Sequence, residues 1–341
     1  MSQIVTFGEV MMRLQTPLYK RFAQADGFDM CFGGGEANVA VGLAGFGADA
    51  AFFSKLPENE LADACVAALK ARGVETRFLL RGGERMGIYF CEKGAAQRPS
   101  KIIYDRKGSS INDISEDEID IERLFDGTKW FHFSGITAAL SEKTLNALRV
   151  LIAGARERCI TVSCDLNYRK KLWSREKARE VMTELVGLCD VLISNEEECK
   201  DIFGIEAAGA DIDGGVVDPE AYAGLAAALR KKFKNLTAIA FTLRTSVSAS
   251  VNRWACILST KDGCFVSKRY EINIVDRIGA GDSFSAGLIF SLLNKKSPRE
   301  AVEFAAAASC LKHTVEGDFS IATAEEVEAL IKSGGGGRVQ R

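Results

Sequence analysis

The alternation of buried strands with amphipathic helices is the feature that most constrains the fold of this chain. After residue 129, short apolar runs alternate with longer stretches of helical periodicity. These segments are strand 130–134, helix 141–158, strand 160–166, helix 174–188, strand 191–194 and helix 196–203. Strands that alternate with helices in this way form a parallel sheet covered by helices on both faces. We therefore predict an α/β fold with three layers, α/β/α.

The same rhythm begins near the start of the chain but is interrupted twice. It comprises strand 4–7, helix 36–46, strand 50–54 and helix 58–72. The segments at about 10–32 and 84–107 depart from it, because 86–91 and 101–105 have the pattern of two strands joined by a polar loop. We expect these segments to form a small antiparallel sheet, separate from the main one.

The remainder of the chain continues the main domain. We predict helix 218–233, strand 238–243, a hairpin of 254–259 with 264–269, and helix 298–312. The Gly- and Asp-rich segment 205–217 is expected to be a mobile loop, and residues 334–341 a flexible tail. Residues 1–333 then form a single domain that contains the small sheet.

Charge and cysteine content exclude several classes of protein. The chain has 44 basic and 46 acidic residues with a net charge of -2, so it lacks the basic surface that nucleic acid requires. No apolar run approaches the length of a membrane span, and the first residues lack the basic start of a secretion signal. None of the ten cysteines has the C-x-x-C spacing of a zinc or redox site. The cysteines are therefore expected to be core thiols in a reducing compartment. We expect a cytoplasmic protein with a small-molecule partner.

One short stretch, D-R-I-G-A-G-D-S-F-S-A-G-L at 276–288, indicates phosphate chemistry. Gly279, Ala280 and Gly281 leave backbone amides unshielded at the start of a helix, where the helix dipole also favours an anion. Asp282 follows at once and, as a carboxylate, can accept a proton from a hydroxyl group. The alternative is structural, because an acidic residue in the first turn stabilises a helix by about 0.3–1 kcal/mol.

A second glycine run, C-F-G-G-G-E-A-N-V-A-V-G-L-A at 31–44, favours the first interpretation. Together the two motifs resemble those of the ribokinase-like (phosphofructokinase-B type) carbohydrate kinases, over roughly residues 1 to 330. The resemblance implies the ribokinase-like fold, in which the small sheet is a lid over the sugar and often a homodimer contact. It also implies ATP as phosphoryl donor, Asp282 as general base, the 279–281 amides as an anion hole, and Gly34 and Asn38 near the sugar.

The resemblance also suggests where magnesium and nucleotide bind. Asn195 to Glu198 match the family's N-x-x-E motif, in which the glutamate organises Mg²⁺ through water. Acidic residues are equally typical of a helix N-terminus, so both interpretations remain open for Glu198. The implied nucleotide contacts are Asn167, Asn195, Thr242, Arg244 and Ala308.

Two departures from the common family pattern point to one branch. The segment T-L-R-T-S-V at 242–247 lacks both glycines of the usual T-x-G-x-x-G, and Arg277 replaces a common threonine. Both features resemble the 2-keto-3-deoxygluconate kinases, which make 2-keto-3-deoxy-6-phosphogluconate. A keto acid carries a carboxylate, and arginine recognises carboxylates in a bidentate manner. The implied substrate-binding residues, besides Gly34 and Asn38, are Tyr89, Tyr104, Arg106, Arg169 and Asp318.

Other functions remain open at this level. A kinase for a neutral sugar such as fructose or ribose would keep both glycine motifs, and the missing glycines near Arg244 also fit an inactive nucleotide- or sugar-sensing homologue. A dinucleotide oxidoreductase is disfavoured because no G-x-G-x-x-G follows the first strand. Oligomeric state and monovalent cation dependence are not predicted by these residues.

Overall fold

The computed structural model describes residues 3–207 and 218–334. Within them, the strands are β1 (Ile4–Phe7), β2 (Met11–Gln15), β3 (Asp29–Gly33), β4 (Ala50–Leu56), β5 (Leu79–Arg81), β6 (Gly87–Glu92), β7 (Lys101–Asp105), β8 (Trp130–Ser134), β9 (Thr161–Asp165), β10 (Val191–Ser194), β11 (Ala238–Ser246), β12 (Val251–Thr260), β13 (Gly263–Val266) and β14 (Tyr270–Asn273). The α-helices are α1 (Gly35–Gly45), α2 (Glu60–Ala71), α3 (Ile121–Phe125), α4 (Gly135–Ala138), α5 (Glu142–Glu157), α6 (Arg175–Val186), α7 (Glu196–Glu198), α8 (Pro219–Lys232), α9 (Ala280–Leu293), α10 (Pro298–Lys312) and α11 (Ala324–Ser333).

The main sheet has ten strands in the order β13-β12-β11-β10-β9-β8-β1-β4-β5, with β14 also paired to β12. From β11 to β5 in this spatial order, each strand is parallel to its neighbour. The pairs that β12 forms with β11, β13 and β14 are antiparallel. Strands β1, β8 and β10 are buried at every residue, because helices cover both faces of the sheet. The predicted three-layer fold is confirmed.

A separate four-stranded sheet, which we call the lid, has the order β3-β2-β6-β7. Its outer pairs are antiparallel, as predicted, but its central pair β2–β6 is parallel. A parallel pair requires a long crossover, and here α1, β4, α2 and β5 of the main domain form that connection between β3 and β6.

Most predicted elements are found, but the structure adds β5, α3 and α4, and residues 199–203 of the predicted helix 196–203 form a π-helix. Further differences lie towards the end of the chain. Strand β11 extends to Ser246, β14 forms an additional edge strand, and helix α11 was not predicted. The start of α11 carries a recognisable signal, a capping box between Thr323 and Glu326. The mobile loop predicted at 205–217 falls largely on 208–217, and the tail on 335–341, outside the described residues.

The helices divide between the two faces of the sheet. One large apolar cluster packs α5, α6 and α8 against one face, and another packs α1, α9 and α10 against the other. None of the described helices has the length and apolar character to span a membrane. All ten cysteines are free thiols. The carboxyl ends of β8 to β11 meet at one edge of the sheet, below the lid, where ligands of open α/β sheets bind.

Candidate active site

A cavity of ≈ 430 Å³ lies between this edge of the sheet and the lid. It is lined by both glycine motifs and by polar residues within or after β9, β10 and β11. The structure therefore brings almost all of the predicted site residues together. These are Gly34, Asn38, Tyr89, Tyr104, Arg106, Asn167, Arg169, Asn195, Glu198, Thr242, Arg244, Gly279, Ala280, Gly281, Asp282 and Asp318. Ala308 is the exception, because it is fully buried between α9 and α10, where its carbonyl accepts a hydrogen bond from Ser283.

The late glycine motif forms the turn that begins α9. Gly279 has a φ of 82°, and a Cβ at this position would lie 2.1 Å from the carbonyl oxygen of Asp318, so only glycine fits. Among the described residues, the amides of Gly281 and Asp282 donate to no carbonyl, whereas that of Ala280 makes a long contact of 3.4 Å with Arg277. Two backbone donors at a helix N-terminus are thus available to an anion.

Asn38 connects the two glycine motifs. Its Nδ2 donates to Oδ2 of Asp282 at 2.7 Å, and its Oδ1 accepts the amide of Gly34 at 3.2 Å. Gly34 is required by close approach, since a Cβ there would lie 1.9 Å from the carbonyl oxygen of Glu9. Asn38, 244 positions before Asp282 in the sequence, therefore holds the Asp282 carboxylate towards the cavity.

The environment of Asp282 makes it a stronger base than an exposed aspartate. Asp282 lines the cavity and is half-buried, and burial raises the pKa of its carboxylate to about 7. The Asn38 hydrogen bond lowers that pKa, and the negative charges of Glu36 and Asp318 raise it again. A carboxylate with a pKa near neutral pH is suited to accept a proton from a bound hydroxyl group.

Asp318 belongs to a buried network under the lid. The hydroxyl of Tyr89 donates to both of its carboxylate oxygens, at 2.6 and 2.7 Å. Arg13 on β2 donates to Asp318 at 2.8 Å and to Asp276 at 2.6 Å, and all three charged side chains are at most 3% exposed. Because the Tyr89 hydroxyl is engaged with Asp318, it is the aromatic ring of Tyr89 that lies against the cavity.

Two arginines bring positive charge to the cavity. Arg106 lies 5.4 Å from the ring centroid of Tyr104, and its Nε donates to Oε2 of Glu9 at 2.8 Å. Nη2 of Arg106 also donates to Glu9, which leaves Nη1 without a partner among the described residues. Arg169 forms no ion pair with any carboxylate in the described part of the chain. Both guanidinium groups therefore have donors free for an anionic ligand.

Two carboxylates, Asp165 at the end of β9 and Glu198 at the end of α7, lie close enough to influence each other. The pKa of Asp165 is well above its usual range because of burial and of the negative charges of Glu198 and Asp282. Burial also raises the pKa of Glu198, whose oxygens accept hydrogen bonds from the amide of Tyr168 and the hydroxyl of Ser194. Within residues 3–207 and 218–334, no group of three metal-ligand side chains is preformed. A pair of carboxylates matches the way in which proteins hold Mg²⁺, which retains several waters.

The stretch without glycines has a regular structure. Instead of a loop, Thr242 to Ser246 continue β11 in an antiparallel ladder with β12, in which Arg244 lies opposite Trp254. Arg244 and Arg277 both line the cavity, and neither forms an ion pair with a described carboxylate. Burial lowers the pKa of Arg277, and the like charge of Arg244 lowers it further. Two cations in proximity without a counterion are typical of an anion-binding site.

Three side chains of the candidate site were missed by sequence reasoning: Glu9, Arg13 and Glu36. Glu9 holds Arg106, and Glu36 accepts hydrogen bonds from Ser134 and Thr137 at the cavity wall. A signal was available for Glu9, which directly follows a strand that ends at the ligand edge of the sheet. Arg13 offered no such signal, because the sequence around it has no clear periodicity and its partners are about 260 and 300 residues away in sequence.

Comparison with known proteins gives a consistent result. The chain is 32% identical over 338 residues to the 2-dehydro-3-deoxygalactonokinase of Haloferax volcanii, covering 98% of each. It is 26% identical over 341 residues to the 2-dehydro-3-deoxygluconokinase of Thermoproteus tenax, covering 98% of this chain and 95% of that protein. The crystal structure of 2-dehydro-3-deoxygluconokinase from Thermotoga maritima superimposes with a TM-score of 0.93 at 47% identity, covering 97% of this chain and 100% of that one.

The profile of the pfkB family carbohydrate kinases matches residues 1–324, which is nearly the whole chain. This match, the three-layer fold with its lid, and the two glycine motifs that meet at Asp282 agree with one another. The chain is a carbohydrate kinase of the pfkB family.

Proposed function

We propose that this kinase phosphorylates the terminal hydroxyl of 2-keto-3-deoxygluconate (2-dehydro-3-deoxygluconate), with ATP as the donor. The contact between Asn38 and Asp282 is the observation that carries the chemistry, because it directs a carboxylate of raised pKa into the cavity beside two free amides. Asp282 takes the proton of the hydroxyl as that oxygen bonds to the γ-phosphorus. The bond from the γ-phosphorus to the bridging oxygen breaks, ADP leaves, and the amides of Gly281 and Asp282 stabilise the charge on the transferring group.

The arginines in the cavity support an acidic sugar as substrate. A carboxylate group binds best to guanidinium donors, and Arg106 and Arg169 both have donors without partners in the described residues. Glu9 and the ring of Tyr104 fix the plane of Arg106, so little rotational freedom remains to be lost when a ligand binds. A neutral sugar would leave Arg169 without an anionic partner among the described residues, whereas Arg106 is already paired with Glu9.

The acid's stereochemistry gives a second candidate. The Haloferax volcanii relative is a 2-dehydro-3-deoxygalactonokinase, whose substrate is an epimer of the gluconate at one hydroxyl-bearing carbon. Both epimers carry the same carboxylate and terminal hydroxyl, so the arginines and Asp282 would serve either. We favour 2-keto-3-deoxygluconate as the substrate. Of the three proteins compared above, the Thermotoga maritima 2-dehydro-3-deoxygluconokinase has the highest identity to this chain, 47%.

Another set of residues in the same cavity is suited to the nucleotide phosphates. Arg244 and Arg277 supply positive charge at two positions where the chain departs from the common family pattern, and Asn195 and Thr242 also line the cavity. Asp165 and Glu198 would hold Mg²⁺, which neutralises phosphate charge when bound and would relieve the repulsion between the two carboxylates. Among the residues proposed for the nucleotide, Ala308 has only an indirect role, through the packing of α9 against α10.

A coupled assay of ADP release tests the proposal on both keto-deoxy sugar acids, fructose and ribose. We expect kcat/KM for the acids to exceed that for the neutral sugars. Changing Arg169 to Met should lower kcat/KM for the acids about 10- to 100-fold, since a hydrogen bond to a charged group contributes about 1.5–3 kcal/mol. Activity on neutral sugars should be unaffected. Neutral sugars that react better than the acids with the wild-type enzyme would contradict the substrate assignment.

Arg85 provides a matched control for the arginine experiment. It lies at the lid, pairs with the exposed Asp105 at 2.7 Å and does not line the cavity. The variant Arg85→Met removes the same charge and should leave selectivity between acids and neutral sugars unchanged. An equal loss in both variants would mean that overall charge, rather than a contact with the carboxylate, attracts the acid.

The raised pKa of Asp282 predicts how activity depends on pH. Only the ionised carboxylate accepts a proton, so kcat/KM should rise with pH, with a midpoint at about 7, and level off above it. Changing Asn38 to Ala removes the hydrogen bond that lowers this pKa, and the midpoint should move to higher pH. Profiles of kcat/KM for both enzymes test this. Because ATP titrates identically in both assays, an unchanged midpoint would assign the transition to the nucleotide instead.

Dimer formation and cellular location remain predictions. A homodimer through the lid is supported by large apolar side chains exposed in the lid strands and the segment that joins β2 to β3. These are Leu18, Tyr19, Phe28, Met30, Ile103 and Tyr104. A cytoplasmic location is supported by ten free thiols, which fit a reducing compartment.

A further inference from the structure

Lys312 is a buried ammonium group that the proposed reaction does not use. It is the last residue of α10, its exposure is 0%, and its Nζ donates to the carbonyl oxygen of Val315 at 3.1 Å. No carboxylate of the described residues lies within ion-pair distance of Nζ. An ammonium has three donors, and burying its charge is costly unless the surroundings compensate. The position of this lysine therefore requires an explanation.

The anion-hole turn lies directly against the Lys312 side chain. A Cβ built on Gly279 would lie 3.2 Å from Cε of Lys312, so the methylene next to the ammonium packs against the turn. One helical turn earlier, the hydroxyl of Ser309 donates to the carbonyl oxygen of Ala280 at 2.7 Å. The last turn of α10 thus supports the backbone from which the Gly281 and Asp282 amides project.

Charged groups face Lys312 from every side of the turn. Burial lowers the pKa of Lys312, while Asp276, Asp318 and Asp282 raise it and Arg13 lowers it. These groups come from the segment before the turn, the segment after α10, the first turn of α9 and the lid strand β2, respectively. Three carboxylates oppose one guanidinium, so the charge of the surroundings favours the protonated amine.

We propose that Lys312 is a positioning residue of the kinase, whose side chain packs against the Gly279 turn and whose fixed ammonium supplies positive potential behind the anion hole. This inference rests on the proposed role of that turn in phosphoryl transfer. The transferring group gains negative charge on oxygens that face the Gly281 and Asp282 amides. A cation fixed behind these amides, away from water, stabilises that charge without rearranging during the reaction. The same cation favours the ionised form of Asp282.

The variants Lys312→Met and Lys312→Gln test the role of the charge. Met keeps nearly the length of the lysine side chain, and Gln keeps an N–H donor for the carbonyl of Val315. If one variant fails to fold, the other still provides the test. We expect kcat with 2-keto-3-deoxygluconate to fall about 10- to 100-fold, somewhat less than the loss of a direct oxyanion donor, with little change in the KM for ATP. The pH midpoint of kcat/KM should also move upward, because Asp282 loses a nearby positive charge.

A merely structural role would not move the pH midpoint. Lys312→Arg keeps the charge and should retain that midpoint, and Lys332→Met, at the exposed C-terminal end of α11, should match the wild type in both measurements. A folded Gln or Met variant with wild-type kcat and midpoint would overturn the inference. If the wild-type enzyme phosphorylates none of the sugars tested, the proposed function fails instead, so the two failures are distinguishable.

Discussion

Changing Asp282 to Asn is expected to lower kcat by about 10²- to 10⁴-fold, the usual contribution of a general base, while leaving the affinity for ATP nearly unchanged. Asparagine has the same shape and can still contact Asn38, but it cannot take the proton of the sugar hydroxyl. The two free amides next to it remain in place, so the phosphate site is preserved. Steady-state kinetics together with direct measurement of ATP binding separates these two effects.

Glu300 offers a control for the structural interpretation of Asp282. Asp282 is the third residue of α9, and Glu300 is the third residue of α10, where it forms a capping box with Ser297. Both carboxylates favour the positive end of a helix, but Glu300 is exposed and away from the cavity. The variant Glu300→Gln should cost at most about 1 kcal/mol of stability and leave kcat unaffected. Near-normal turnover in Asp282→Asn would reduce Asp282 to the same capping role.

The sequence predicted the parts of the site that depend on local backbone requirements. Gly279 and Gly34 are glycines because a side chain would collide with the carbonyl of Asp318 or Glu9, respectively. Such backbone requirements are visible in the sequence as glycines in a recognisable motif. Asn38 and Asp282 were found for the same reason, since each follows its glycine motif at a constant interval. The strands and helices of the main domain were predictable because their periodicity reflects burial on defined faces.

Other parts of the site depend on which segments meet in space. The predicted role of Arg106 implied a free guanidinium, whereas Glu9 occupies one side of it. The sequence around either residue gives no sign of that contact. It arises because the lid lies over the end of β1, next to Glu9. Likewise, the missing glycines at 242–247 also fitted an inactive homologue, but the segment is a regular strand whose Arg244 lines the cavity. The absence of the motif therefore does not leave this part of the cavity without charged donors.

Changing Arg13 to Met is expected to lower the free energy of unfolding by about 3–5 kcal/mol, the usual cost of removing one partner from a buried ion pair. Arg13 is fully buried, and its loss would leave Asp276 and Asp318 without their cation in a site that is nearly closed to water. Asp276 also accepts hydrogen bonds from the amides of Ile278 and Gly317, so the disturbance would extend from the lid to the Gly279 turn. Denaturant unfolding of the full chain measures the change.

Two comparisons make this stability prediction specific to the buried charges. Arg85→Met removes an arginine that also contacts the lid, but its pair with Asp105 is exposed, and such pairs contribute about 0–1 kcal/mol. The triple variant Arg13→Met, Asp276→Asn, Asp318→Asn should be more stable than Arg13→Met alone, because no uncompensated carboxylate would remain. If the single Arg13 variant lost less than the Arg85 control, the lid would be held to the main domain by its apolar contacts, and the charge network would serve catalysis alone.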